Sequence, residues 1–142
     1  MATILLRMPV DAEAKVIYDA LATTDGVNGW WSNHTEGPGG VGSTMKVAFP
    51  DAPITFDFEV VEETPGKDVA WRCLAGPPEW VGTTISFDVQ TDADGNTSVL
   101  FGQDGWATTN ESFPFIAYSW AQILPRLKEL SESGKPNPFF DF

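Results

Sequence analysis

The sequence predicts an α+β fold, an antiparallel sheet packed on a C-terminal helix, from three observations. Apolar residues recur with a period of two between residues 41 and 106. From Phe113 to Leu127 they recur at helical spacing. The breaks between these runs are short clusters, Glu36–Gly40, Thr64–Lys67, Ala75–Pro78 and Thr91–Asn96, and turns this short imply hairpins.

The chain opens on a short strand before Pro9. A helix follows, with Asp11 expected as N-cap, Glu13 in the first turn, and Val16, Ile17, Ala20 and Leu21 on one face. Short helices within 11–32 thus separate the first strand from the second. Five consecutive strands come next. The first covers 41–50. In the second, Ile54, Phe56, Phe58 and Val60 alternate with Thr55, Asp57 and Glu59; in the third, Val69, Trp71 and Cys73 alternate with Ala70 and Arg72. In the fourth, Val81, Thr83, Ile85, Phe87 and Val89 alternate with Gly82, Thr84, Ser86 and Asp88, and 97–103 supplies the fifth. Such a meander has one buried and one wet face. The buried face needs a cover, and Phe113, Ile116, Ala117, Trp120, Leu124 and Leu127 provide one, with Gln122, Arg126 and Glu129 opposite. Pro125 falls on the polar side, where a bend is convex toward water. Residues 1–142 are read as one domain with 134–142 as its tail. The tail's three phenylalanines, Phe139, Phe140 and Phe142, are expected to cover the domain's own surface, the alternative being a neighbour's.

At 142 residues the chain can bury roughly two-thirds of its unfolded surface. Its 42 % apolar and 20 % charged residues place it among globular proteins. Eight basic against 20 acidic residues give a net charge of -12, which repels nucleic acid and anionic membrane surfaces. Cys73 and His34 are each the only residue of their kind, so no internal disulfide and no Cys/His zinc site is available, and neither metal nor cofactor is expected. The first residues carry no secretory pattern and no apolar run reaches about 18 residues, so a cytoplasmic protein without membrane insertion is expected.

Catalytic constellations are mostly absent, and no catalytic residue is assigned. His34 sits in a Gly-rich loop without a nucleophile elbow, the glycines from Gly37 to Gly42 lack a phosphate-loop ending, and adjacent Glu62 and Glu63 point to opposite faces of a strand. What stands out is six Trp and ten Phe. Most of these rings fill the space between sheet and helix. A meander curled around one helix also leaves room for a cavity, whose expected lining is Trp31, Phe56, Phe58, Trp71, Cys73, Trp80, Thr83, Ile85, Phe101, Gln103, Ile116 and Trp120. Gln103 shares parity with Val99 and Phe101, so its amide points inward and requires a partner; Thr83 is a second inward polar group.

Several stretches in order resemble a known family: Asp25-Gly26-Val27 with Trp30-Trp31, Glu79-Trp80-Val81-Gly82-Thr83 leading into Ile85–Val89, Phe101 with Gly105-Trp106, and Tyr118-Ser119-Trp120 with Leu124, Leu127-Lys128 and Glu132–Lys135. From about Ile4 to Pro138 they look like the SRPBCC (START-like) superfamily, in particular the group similar to the activator of the 90-kDa heat-shock-protein ATPase, stand-alone bacterial type. The resemblance implies a helix-grip fold with an internal cavity for lipids, sterols, hormones or polyketides, and in some members cyclisation or aromatisation. Where relatives often carry a histidine before Gly105-Trp106, this chain has Gln103.

Three functions follow as expectations. The first is binding of a small apolar or amphipathic molecule, gated by the loop around Trp30-Trp31 and the turn at Pro77-Pro78. The second is a cyclase- or hydrolase-like enzyme drawing on Gln103, Thr83, Arg72, Tyr118, Glu79 or His34. The third is a co-chaperone-like protein whose acidic surface meets a basic partner. Either a monomer or a homodimer is compatible with the sequence.

Overall fold

The computed structural model describes residues 1–110 and 112–142. The strands are β1 (Ala2–Pro9), β2 (Thr35–Glu36), β3 (Thr44–Val47), β4 (Phe56–Thr64), β5 (Asp68–Ala75), β6 (Thr84–Thr91) and β7 (Thr97–Trp106); β3 to β7 realise the two-residue period, and β2 forms where the sequence predicts a loop. They form one sheet in the order β1-β7-β6-β5-β4-β3-β2, every neighbouring pair antiparallel. Two helices, α1 (Ala14–Ala22) and α2 (Thr24–Asn28), separate β1 from β2, and α3 (Ser112–Ser133) closes the core. This is the helix-grip α+β architecture expected from the sequence.

The α1–α2 corner turns on Thr23. Its hydroxyl donates to the Asp19 carbonyl (2.7 Å) and accepts from the Gly26 amide (3.0 Å), so one side chain ends α1 and begins α2. Gly26 is obligatory there, because a Cβ would lie 2.6 Å from the Ala20 oxygen. That same carbonyl accepts from the buried Trp30 indole (2.9 Å). Beyond α2, the Asn28 side chain exchanges two hydrogen bonds with the Thr35 backbone, as a strand would, and leads the chain into β2.

Strand limits differ from expectation where turns take over. Val81 is exposed and β6 begins at Thr84, because Thr83 N–H donates to Trp80 and Trp80 N–H to Pro77. Ile54 is exposed in the loop before β4. In α1 the N-cap is Glu13, not Asp11, whose amide donates instead to Glu132 (2.7 Å), and Val16 is exposed while Ile17, Ala20 and Leu21 are buried. β7 runs three residues past the expected end, through a bulge. Ala2 pairs with Trp106 and Thr3 with Asp104, leaving Gly105 unpaired at φ 94°. Strict alternation would turn Trp106 to solvent; the extra residue turns it inward, to 2 % exposure.

Twenty-two residues of α3 lie over the sheet, with Trp120, Ile123, Leu124, Leu127 and Ser131 buried. Pro125 is exposed within the helix; it removes the amide that would bond the Ala121 carbonyl, and Ala121 is also exposed, so water can take that carbonyl. The tail folds back on its own chain. Asn137, Phe139 and Phe140 donate backbone bonds to Gly29, Trp30 and Trp31, and Asn33 returns one to Phe140. Phe142 stacks on His34 at 4.0 Å between ring centroids, and the Arg126 guanidinium lies 5.7 Å from the Phe139 ring centre.

Glu132 joins the C-terminal turns of α3 to the start of α1 by accepting from Lys128 Nζ and the Asp11 amide, both at 2.7 Å. These donors, Lys128 first, hold its carboxyl below the usual range. A group with a lowered folded pKa stabilises above its unfolded pKa, and the contribution disappears as pH falls through the folded one. Glu132→Gln is therefore expected to lower stability by less than about 1 kcal/mol near pH 7. In urea titrations across pH, the variant and the parent are expected to converge on acidification.

Candidate functional site

An apolar recess, an open groove of about 420 Å³, lies between the N-terminal half of α3 and the loops at one end of the sheet. Its floor consists of Trp31, Trp80 and Trp120, brought together from the segment after α2, the β5–β6 turn and α3. Trp31 and Trp120 are 5.1 Å apart between ring centroids, and Trp80 lies 6.4 Å from Trp120. Such tilted contacts are favoured by ring quadrupoles, and rings of this size each bury on the order of 200 Å², roughly 5 kcal/mol gross at about 25 cal/mol per Å². The walls are Phe49 to Ala52 from the β3–β4 loop, Phe56, Pro77, Phe115, Ile116 and Ile123. Phe140 of the tail forms one end, edge-on to Phe49 at 4.9 Å.

Polar groups at the groove are few: Asp51, Glu79, Ser112 and Ser119. Ser112 Oγ donates to Glu79 Oε1 (3.3 Å), tying the β5–β6 turn to the first turn of α3, while Ser119 is bonded to the Phe115 carbonyl. Among the described residues, no lysine, arginine or histidine lines it.

Of the residues expected to line a cavity, the structure brings Trp31, Phe56, Trp80, Ile116 and Trp120 to this groove. Phe58, Trp71, Cys73, Thr83, Ile85, Phe101 and Gln103 are buried to 1 % exposure or less in the packed layer between sheet and α3, outside the groove lining. Phe101 sits 4.6 Å from Trp120 and Trp71 stacks 6.1 Å from Trp31, so rings occupy the interior and leave the recess at its edge. At the expected gate, Trp30 and Trp31 are both at 1 % exposure or less and their carbonyls hold the tail. The expected gate at Pro77 does reach the lining, whereas pattern reading did not find Phe49 to Ala52, Ser112, Phe115, Ser119, Ile123 and Phe140 as groove residues. Ile123 was the one accessible to it, three positions beyond Trp120 on the helix.

The amide of Gln103 finds its partners. Trp120 Nε1–H donates to Gln103 Oε1 (2.9 Å), Gln103 Nε2 donates to Thr83 Oγ1 (3.1 Å), and Thr83 donates to the Trp80 carbonyl (2.7 Å). All three side chains are buried, so the chain of bonds is committed to structure. Arg72 is exposed on β5, Tyr118 is exposed on α3 with its hydroxyl accepting from Gln122, and His34 is stacked on Phe142 with Nδ1 2.8 Å from Asn33 Oδ1. The acid-base candidates are therefore dispersed, and only Glu79 reaches the groove. Among the described residues no group of three His, Cys, Asp or Glu side chains is placed to hold a metal.

Two outcomes follow from this interior. Gln103→Ala leaves an indole N–H unpaired and opens a void, so a loss of about 2–4 kcal/mol in urea unfolding is expected. Gln103→Leu combined with Trp120→Phe, which removes both partners, is expected to recover part of it. Burial pushes the Cys73 thiol from about 9 up to about 11. At pH 8 ionisation alone should make its reaction with an aromatic disulfide reagent about 100-fold slower than that of an ordinary thiol, and stopped-flow absorbance checks this. Because the folded value is the higher one, the associated stability is present below about 9 and is lost as pH rises through about 11.

No family model matches the sequence, and no curated protein does. Among solved structures, DynU16 from the dynemicin biosynthetic locus aligns over 99 % of this chain and 51 % of its own, at TM-score 0.77 and 19 % identity. CalU16 from Micromonospora echinospora aligns over 95 % and 76 %, at TM-score 0.75 and 12 % identity. These two likenesses concern the fold. The solution structure of the Aha1 dimer from Colwellia psychrerythraea aligns over 95 % of this chain and 99 % of its own, at TM-score 0.81 and 38 % identity. With that identity over nearly the full length of both chains, on a shared helix-grip fold, the protein belongs to the family of the Colwellia Aha1 protein.

Proposed function

We propose that the protein binds a small apolar or amphipathic molecule in the groove between α3 and the loops at the open end of the sheet, and that it does so as a homodimer. The observation carrying the first part is the groove itself. Its volume of about 420 Å³ lies in the range of small-molecule sites, and aromatic and aliphatic side chains dominate its lining. Kinship with a dimeric relative supports the second part. The three indoles supply area and exclude water, while the Glu79–Ser112 pair and Asp51 offer polar groups that orient an amphipathic ligand.

In an enzyme reading of the same groove, Glu79 would be the acid-base group, hydrogen-bonded by Ser112. Kinship with an Aha1 protein also motivates a co-chaperone reading, tested by whether the protein stimulates the ATPase of a 90-kDa heat-shock protein.

The binding reading is tested by titrating N-phenyl-1-naphthylamine, a neutral fluorescent probe, against the protein. Saturable binding is expected, weakened at least tenfold in Ala52→Trp and in Ile116→Trp, which fill the groove, with unfolding midpoints close to the parent's. Absence of probe binding, or binding that neither substitution alters, overturns it.

A further inference from the structure

We infer that two copies of this chain pair through the N-terminal half of α3, and that each partner lies across the mouth of the other's groove. This rests on the homodimer reading above and names its surface. From Ser112 to Pro125, 14 consecutive residues contain no Asp, Glu, Lys or Arg, in a chain where charged residues make up 20 %. The stretch includes the most exposed apolar surface of the helix. Phe115 and Tyr118 are 65 % and 63 % exposed, one turn apart, and Gln122 extends the same face by donating to the Tyr118 hydroxyl.

Electrostatics narrows the choice of surface. Each copy carries a net charge of -12, so two copies repel over most approaches and meet best where the facing surfaces are neutral. The outer face of the sheet also exposes apolar side chains, Leu5 at 63 % and Leu74 at 46 %, but there charged neighbours are interspersed: Arg7 on β1, Arg72 on β5, and Asp88 on β6. Between Ser112 and Pro125 the α3 face has no such interruption; the carboxylates beside it are Glu79, engaged by the Ser112 hydroxyl, and Asp51 at the groove. Fourteen helical residues extend about 21 Å, and a stable interface uses roughly 800 Å² per partner, so the contact has to continue beyond the helix, over the groove mouth. Phe115 belongs both to this face and to the groove wall, so a copy that covers Phe115 reaches the groove mouth.

The experiment is sedimentation velocity over a concentration series on the full chain, with Tyr118→Glu, Phe115→Glu and the outer-face double variant Leu5→Glu/Leu74→Glu. Far-UV circular dichroism checks that each is folded. The expected result is a dimeric parent and double variant, with the dimer dissociation constant at least tenfold higher in both helix variants. A parent that is monomeric throughout overturns the homodimer reading and this inference together. A dimeric parent whose helix variants remain dimeric overturns the surface alone. Release of N-phenyl-1-naphthylamine should be several-fold faster from Tyr118→Glu, which lies outside the groove lining, than from the parent. Equal release rates overturn the placement of the partner across the groove.

Discussion

The hydrogen bond from the Trp120 indole to Gln103 is a fully buried directed contact between α3 and the sheet, and it sets where the helix lies. Apolar packing is non-directional and would allow the helix to slide along a face of Leu, Ile and Phe. An indole N–H buried without its acceptor is costly, so the helix stops where the amide of Gln103 can receive it, and Gln103 is itself held by Thr83. With α3 held at that register, Phe115, Ile116 and Ile123 come to the open end of the sheet, opposite the β3–β4 loop. The groove is thus a by-product of where a polar contact inside the core is satisfied.

Periodicity made the strand core and the helix stripe legible because burial on one face imposes it directly. Gln103 was legible for the same reason, since parity turned it inward, although its partners came from a turn and from a helix. Turns were less legible. Val81 continues an alternating pattern but sits on the outside of a hydrogen-bonded turn, and only the backbone bonds of Trp80 and Thr83 decide that. The groove was least legible. Its walls at Phe49–Ala52 and Pro77 belong to loops whose placement depends on packing, and no period marks them. A plain reading of the aromatic surplus places a cavity in the middle of the core; the rings pack against one another there, and the open volume lies where the helix begins.

The tail shows local signals combining with distant ones. Its backbone bonds to Gly29, Trp30 and Trp31 form a parallel path beside the segment that follows α2, which places Phe140 at the groove. Phe139, beside it, is flanked by Arg126, one of the eight basic residues. The ion pairs Lys15–Asp19, Lys46–Asp57 and Lys128–Glu132 are surface pairs, each worth little in water. The fold is held by its aromatic layer and its buried amide far more than by charge.

The pairing of β1 with β7 imposes an order on folding. Thr3 meets Asp104 across a separation of 101 residues, whereas the loops joining β4 to β5, β5 to β6 and β6 to β7 have three, eight and five residues. Closing the long loop costs chain entropy that no local contact repays in advance, so the hairpins can form while β1 is still searching. Until β1 docks, β7 is an open sheet edge able to pair with any extended chain it meets. In this topology the interval before β1 docks is when the molecule is most open to misassembly.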